Sequence, residues 1–396
     1  MKEYSDEKND VLEGTNYSVQ FIVKHLKEKN EEFRNLVKDG ISSFEVQNMS
    51  GIGYLSFILK ITFHLNNNQN PFPLIIKVPT DEIVRKNFKV SSDEAKQEEF
   101  KNKKNDQSTF PQFLTKAHNR ECFFYEEIAP LLQNIKVPKC YGTQERNESN
   151  QGFILMEDIS DHAVLQNIIQ GMSYEQLKSV VAEIAILHAD SRLLSETVFD
   201  KLKLNNVVKA STESFQHIFK CGSSVIQKYE KDLWDSYNLG SHAPPESHLK
   251  YNIPPVLCHA DIWANNIFFE KDKNGKANDK VYGFLDWQLI YRGNGMSDLV
   301  RLLNISVDAE IRKKHRMDLL QLYLDTLNSK LKDFGLDSSY TLDLIVEMYV
   351  EHSKYEIVFS SMLLLNYYFH LKDEKTKERI MKRIEEAVQF TFSGSS

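Results

Sequence analysis

The sequence predicts an α+β protein in two lobes, a strand-rich one over residues 1–156 and a larger helical one over 157–396. Three observations predict it. β-Branched and aromatic runs crowd the chain before Met156. Apolar residues recur at three- and four-residue steps from Ser173 onward. A chain of 396 residues is also long enough to divide its burial between two cores.

The elements follow in order. Val19, Ile22, Val23 and Leu26 mark an early helix. Phe44–Met49, Leu55–Leu65 and Pro73–Pro79 read as strands, the last two joined through the turn signal NNNQNP. Residues 81–106 carry seven acidic and seven basic side chains, so their charges cancel and a solvated insertion over about 81–115 is expected. A helix is expected from about Lys116 to Ile128, ending before Pro130. GFILM, residues 152–156, is a short apolar strand. Ser173 and Gln176 form a capping box ahead of a helix with Leu177, Val180, Val181, Ile184 and His188 on one face. Val281–Leu289 reads as a strand with Asp286 near its end, and most of the chain after Ser297 is helical.

Composition excludes several classes. A balance of 49 Lys+Arg against 56 Asp+Glu, with no basic block, argues against nucleic-acid binding through phosphates. The longest apolar stretch, Ile357–Phe369, is broken by Ser360, Ser361 and Asn366 and is too short for a membrane span. The four scattered cysteines form no CxxC pair, and the N-terminus lacks an apolar signal core, so a cytoplasmic protein is expected.

The sharpest motif is LCHADIWANNIFF, residues 257–269, with the frame His259-x-Asp261-x-x-x-x-Asn266. That is the spacing of a kinase catalytic loop. An aspartate there accepts the proton of an attacking hydroxyl. An asparagine five residues on offers a neutral oxygen to Mg²⁺, and the histidine packs behind the loop. GFLDWQ then brings Asp286 in as a second metal ligand, after a hairpin turning at Asn274-Gly275. Gly51 and Gly53 would let the backbone approach ATP phosphates. Lys77 lies in an apolar strand, where an unpaired ammonium is costly, and Glu121 is its natural partner. The strand and hinge through Glu157 would meet adenine.

Taken singly, each feature has a plainer reading. A GxG is commonly a turn, a strand lysine an edge residue reaching solvent, and His188 a satisfied core histidine. Tyr349 and its neighbours on the C-terminal helices read as core, and Cys258 as a small buried hydrophobe. Their order is what favours the kinase reading: glycine loop, strand lysine, helix glutamate, hinge, HxDxxxxN, strand aspartate.

HADIWANN at 259–266, DWQ at 286–288 and DLVRLL at 298–303 resemble the CHK kinase-like family, which includes ecdysteroid kinase-like proteins. It is related to choline kinases and aminoglycoside phosphotransferases. The resemblance implies a bilobal protein-kinase-like fold. It also implies ATP and Mg²⁺ as cofactors and phosphoryl transfer to the hydroxyl of a small molecule: ecdysteroid-like, xenobiotic or choline-like. It makes Asp261 the catalytic base, Asn266 and Asp286 the metal ligands, and Lys77 with Glu121 the nucleotide-orienting pair. Asp298 would support the loop rather than react. Ala260 stands where the family has glycine, a change read as mild because protein kinases carry arginine there. Tyr349, Glu351, Tyr355 and Glu356 are at hand for a quaternary-amine cage, against which stands a structural helix. The short stretch after DWQ leaves little room for the activation loop of a protein kinase. The reading from a different class is a catalytically silent nucleotide-binding scaffold, against which the presence of Lys77, Asp261, Asn266 and Asp286 argues.

Overall fold

Alternation along the strands builds the N-terminal unit. The computed structural model describes residues 1–49, 55–66, 70–80, 109–202, 212–240 and 244–393. Gly51, Gly53, residues 67–69 of the NNNQNP turn and residues 81–106 lie outside the described residues. Met1–Ala129 with Pro138–Asp161 forms one unit, and Pro130–Val137 with His162–Ser396 the other.

The first unit is a six-stranded sheet in the order β1-β2-β3-β4-β6-β5. Its strands are β1 (Lys2–Glu3), β2 (Ile41–Asn48), β3 (Ser56–Leu65), β4 (Phe72–Pro79), β5 (Cys140–Gln144) and β6 (Phe153–Glu157). On β3, Phe57, Leu59, Ile61, Phe63 and Leu65 point to one side, where Leu74, Ile76 and Val78 of β4 join them in the core. Helix α1 (Val19–Lys29) packs Val19, Ile22, Val23 and Leu26 into the same core. Lys77, one residue out of phase with Ile76, therefore belongs to the opposite face. β4 is not an edge: Lys77 pairs with Ile58 on one side and Ile154 on the other. That removes the solvent-reaching edge reading.

Helix α2 (Thr109–Phe123) starts earlier than the expected Lys116. Pro111 in its first turn explains the start, because a missing N–H costs nothing there. The helix widens into a π turn at Phe124–Ile128 and closes as a 3₁₀ turn at Ala129–Leu131. The boundary between the units falls after Asp161 rather than Met156. Glu157 still pairs with Leu74 in the sheet, and Asp158 is ion-paired to Lys60 of β3 at 2.6 Å.

The second unit is mainly helical. Ser173 and Gln176 make the capping box that opens α3 (Tyr174–Ser191). Three longer helices close the chain after α4 (Met296–Ser306): α5 (Ala309–Asp333), α6 (Leu342–His370) and α7 (Glu374–Ser393). Two small sheets carry the loops. One orders β10 (Ala277–Phe284), β9 (Ile267–Lys271) and β7 (Ala163–Leu165), and the other pairs β11 (Tyr291–Gly293) with β8 (Val256–Cys258). The hairpin between β9 and β10 turns at Asn274-Gly275, with Gly275 at φ +75°. The α+β class follows from these two units.

Candidate functional site

In the N-terminal unit, Lys77 Nζ lies 2.6 Å from Glu121 Oε2. Strand β4 supplies the lysine, which is largely shielded, and α2 the glutamate, which is buried. His118, one turn before Glu121, is held neutral by burial, its pKa lowered to about 4. It adds no competing charge to the pair. Glu157 at the end of β6 donates its backbone N–H to the Lys139 carbonyl at 2.8 Å, and its carboxylate accepts from the Lys139 N–H. That N–H is engaged within the sheet.

In the C-terminal unit, the loop after β8 gathers the remaining motif residues. His259 is fully buried. Its Nε2 donates to the Leu285 carbonyl at 2.9 Å, so Nδ1 is free to accept the Asp261 N–H at 3.2 Å. The Trp287 ring packs 4.5 Å from the imidazole, centroid to centroid. The histidine thus holds the loop from behind and touches Asp261 only through its backbone.

Asp261 is held at both oxygens. Asn266 Nδ2 donates to Oδ2 at 2.9 Å and to the Asp261 carbonyl at 2.9 Å. Arg301 Nη1 reaches Oδ1 at 3.2 Å. Burial pushes the Asp261 carboxyl up to about 6; Arg301 works against that rise, and Asp286 adds to it.

Asp286 lies beyond the strand that was expected to carry it. β10 ends at Phe284, and Asp286 adopts φ +67°, ψ +59° at the head of a 3₁₀ turn. Aspartate is among the few residues that enter this region readily. Phe284 pairs with Ile267, and Leu285 N donates to the Asn266 carbonyl at 2.9 Å, so the chain brings Asn266 and Asp286 side by side. Among the described residues no group of three or more His, Cys, Asp or Glu side chains could hold a metal ion. The oxygen donors that the loop offers are one asparagine and one aspartate. Asn266 commits its Nδ2 inward to Asp261, which turns its oxygen the other way. A hard cation completed by phosphate oxygens fits that donor set.

Behind the loop lie the residues that hold it, Asp298 among them. Asp298 in the first turn of α4 is fully buried and accepts the backbone N–H of His259 at 2.8 Å and of Ala260 at 2.7 Å. His188 of α3 donates to the same carboxylate at 3.1 Å and accepts the Tyr323 hydroxyl at 2.8 Å. Burial alone would raise Asp298, but the His188 bond and the surrounding donors hold it below the usual carboxylate range. His188 is a satisfied buried histidine, and its partner is the loop's own anchor. A Cβ on Gly295 would meet the His188 ring at 2.5 Å, so this close approach requires glycine.

Ala260 stands at φ +63°, a left-handed conformation that glycine adopts freely and alanine does not. The substitution read as mild therefore carries a backbone cost. Arg301 lies one turn beyond Asp298, fully buried, with Nε and Nη2 on Glu356 of α6 at 2.9 and 2.8 Å. Glu356 is consequently no part of a quaternary-amine cage. Tyr349 is buried beside Phe390, and Glu351 pairs with Lys250 and Tyr251. The helix is structural at these positions. Cys258 is fully buried, and burial drives its thiol well above the usual range. The one available signal for Arg301 was a charge set in the apolar stretch LVRLL, and Glu356, following Glu351, His352 and Lys354, carried none.

No helix among the described residues is long and apolar enough to cross a membrane. The chain is similar to "Uncharacterized oxidoreductase dhs-27" of Caenorhabditis elegans, 24% identical over 323 residues, covering 79% of this chain and 38% of that protein. It is also similar to "Uncharacterized kinase-like protein D1044.1" of the same organism, 21% identical over 265 residues, covering 64% of this chain and 67% of that one. The match to the first relative thus spans well under half of its length. Among solved structures, the GDP complex of wild-type aminoglycoside 2'-phosphotransferase-IIIa is similar at a TM-score of 0.45 and 12% identity, covering 92% of this chain and 100% of that one. A family model, DUF1679, described as "Uncharacterized oxidoreductase dhs-27", matches residues 43–391. That match spans most of the chain, the loop at 259–266 and the helix that anchors it included, and the chain belongs to the DUF1679 family.

Proposed function

We propose that this protein is an ATP- and Mg²⁺-dependent phosphotransferase acting on the hydroxyl of a small molecule. The observation that carries the reading is Asp261, a buried carboxylate fixed at both oxygens beside Asn266 and Asp286. Arg301 and Asn266 each occupy one lone pair of that carboxylate, and others remain to accept a hydroxyl proton. Asp261 is the base and Asn266 with Asp286 the metal ligands. When bound, the cation would neutralise charge on the phosphate oxygens. Lys77 orients the nucleotide phosphates, and Glu121 holds Lys77 in place. His259 keeps the loop in register. Gly51, Gly53 and Glu157 keep the nucleotide-contacting role that the sequence order suggests for them.

The acceptor is an alcohol of the ecdysteroid-like or xenobiotic kind. A choline-like acceptor is less well supported, because Tyr349, Glu351 and Glu356 are committed elsewhere. The oxidoreductase name belongs to a protein of which the shared part is 38%, and what supports a phosphotransferase instead is the grouping of Asp261, Asn266 and Asp286. A cytoplasmic location, where ATP is available, fits the reading.

The test is ADP release over a library of alcohols in the presence of ATP and Mg²⁺, with Asp261→Asn as the blank. Turnover that the blank lacks supports the enzyme. Thermal stabilisation by ATP and Mg²⁺ with no ADP release from any acceptor would favour the silent scaffold.

A further inference from the structure

We propose that Arg301, clamped by Glu356, is a positioning residue that sets the orientation of the Asp261 carboxylate for phosphoryl transfer. The inference rests on the reading of Asp261 as the base and goes beyond it by assigning the residues that aim it.

Four observations carry it. First, Arg301 binds the loop twice, at the Ala260 carbonyl and at Asp261 Oδ1, so one planar guanidinium spans the peptide and the side chain that follows it. Second, Arg301 and Asn266 take different oxygens of Asp261, which fixes rotation about the last side-chain bond; either alone would leave the carboxylate a hinge. Third, Glu356 is spent on Arg301: Oε2 takes both Nε and Nη2, while Oε1 is buried with no hydrogen-bond partner. A pair so incompletely satisfied is a poor device for stability, since burying two charges costs as much as their attraction returns. Fourth, the Phe359 ring lies 4.3 Å from the guanidinium and closes another side of it. The guanidinium is thus held from the Glu356 side through Nε and Nη2, while Nη1 meets the loop.

The arrangement also divides labour with Asp298. Asp298 takes the N–H groups of His259 and Ala260, while Arg301 takes the carbonyl of Ala260 and the side chain of Asp261. The first fixes the backbone and the second the reacting group. Both residues come from the same face of α4, one turn apart.

The experiment compares wild type with Arg301→Lys, Arg301→Met and the double variant Arg301→Met/Glu356→Leu. The singles leave a buried charge without its match and can fail to fold, whereas the double removes both charges at similar volume and is expected to fold. For the double variant, kcat for ADP release should drop about 100-fold with the nucleotide KM unchanged, because a misaimed base damages the chemical step alone. Arg301→Lys, keeping the charge without the fork, should fall between. A folded double variant with wild-type kcat would overturn the proposal and leave the pair structural. The crystal structure of the double variant separates this from failure of the phosphotransferase reading. If wild type releases no ADP with any acceptor, that reading fails. Positioning is then decided by whether Asp261 leaves its Asn266 bond, and an unmoved carboxylate would refute it.

Discussion

Asp298 Oδ1 accepts the Ala260 N–H at 2.7 Å and holds that residue at φ +63°. The loop thus keeps an alanine where the backbone favours glycine, and the cost is borne by the carboxylate behind it. Ala260→Gly should raise the free energy of unfolding by about 0.5–1 kcal/mol, the relief of left-handed strain net of the extra freedom of an unfolded glycine. Urea melts of the two proteins measure it. An unchanged or lower midpoint would mean that the surrounding bonds already absorb the strain.

Asp298 answers two backbone N–H groups and one imidazole. Asp298→Ala strands all three in a buried site, at a cost of about 3–5 kcal/mol. Chemical denaturation should show that loss. Asp298→Asn, with an oxygen for only part of the set, should lose less. Equal losses would indicate that the negative charge, not the number of acceptors, matters.

Asp261→Asn should lower turnover by roughly 10²–10⁴-fold while nucleotide binding stays intact. The comparison is ADP release against calorimetric ATP titration of the same protein. Turnover surviving in the variant would remove Asp261 from the role of base.

Lys77 and Glu121 form a largely shielded pair at 2.6 Å. Glu121→Gln removes one charge and keeps the shape, so the lysine loses its fixed position. The nucleotide KM should rise with a smaller change in kcat, and stability should fall by up to about 3 kcal/mol for the broken pair. Steady-state kinetics and a thermal melt test both parts. A variant with wild-type KM would make the pair a structural tie only.

Burial pushes Glu356 up to about 7 from an unfolded value near 4.5, and Arg301 opposes the rise. Between those values the folded chain holds a proton that the unfolded chain has released. Glu356 therefore favours folding below pH 4.5 and loses that contribution as the pH climbs through 7, with a slope of at most about 1.4 kcal/mol per pH unit. Glu356→Gln removes the slope. Its stability relative to wild type should improve as pH rises from 5 to about 7 and then level off. Parallel stability curves for the two proteins would contradict this.

What the sequence determined by itself was local. Alternation in Leu55–Leu65 and Pro73–Pro79 set the strands, and with them the face that Lys77 shares. The capping residues set where α3 begins. The spacing of His259, Asp261 and Asn266 set the loop, because five residues suffice to return Asn266 to the Asp261 backbone. These are consequences of bonds between near neighbours, which a linear pattern records. The strand end before Asp286 and the left-handed Ala260 were not legible, since neither residue type marks a turn as glycine would. Only the tertiary structure decided the loop's supports. His188 meets Asp298 across 110 positions of chain, and Arg301 meets Glu356 across 55. A buried charge announces that it needs a partner, but which of many carboxylates supplies it depends on how α3, α4 and α6 pack. That packing turned a histidine read as core and a glutamate on a helix read as structural into the frame that holds Asp261.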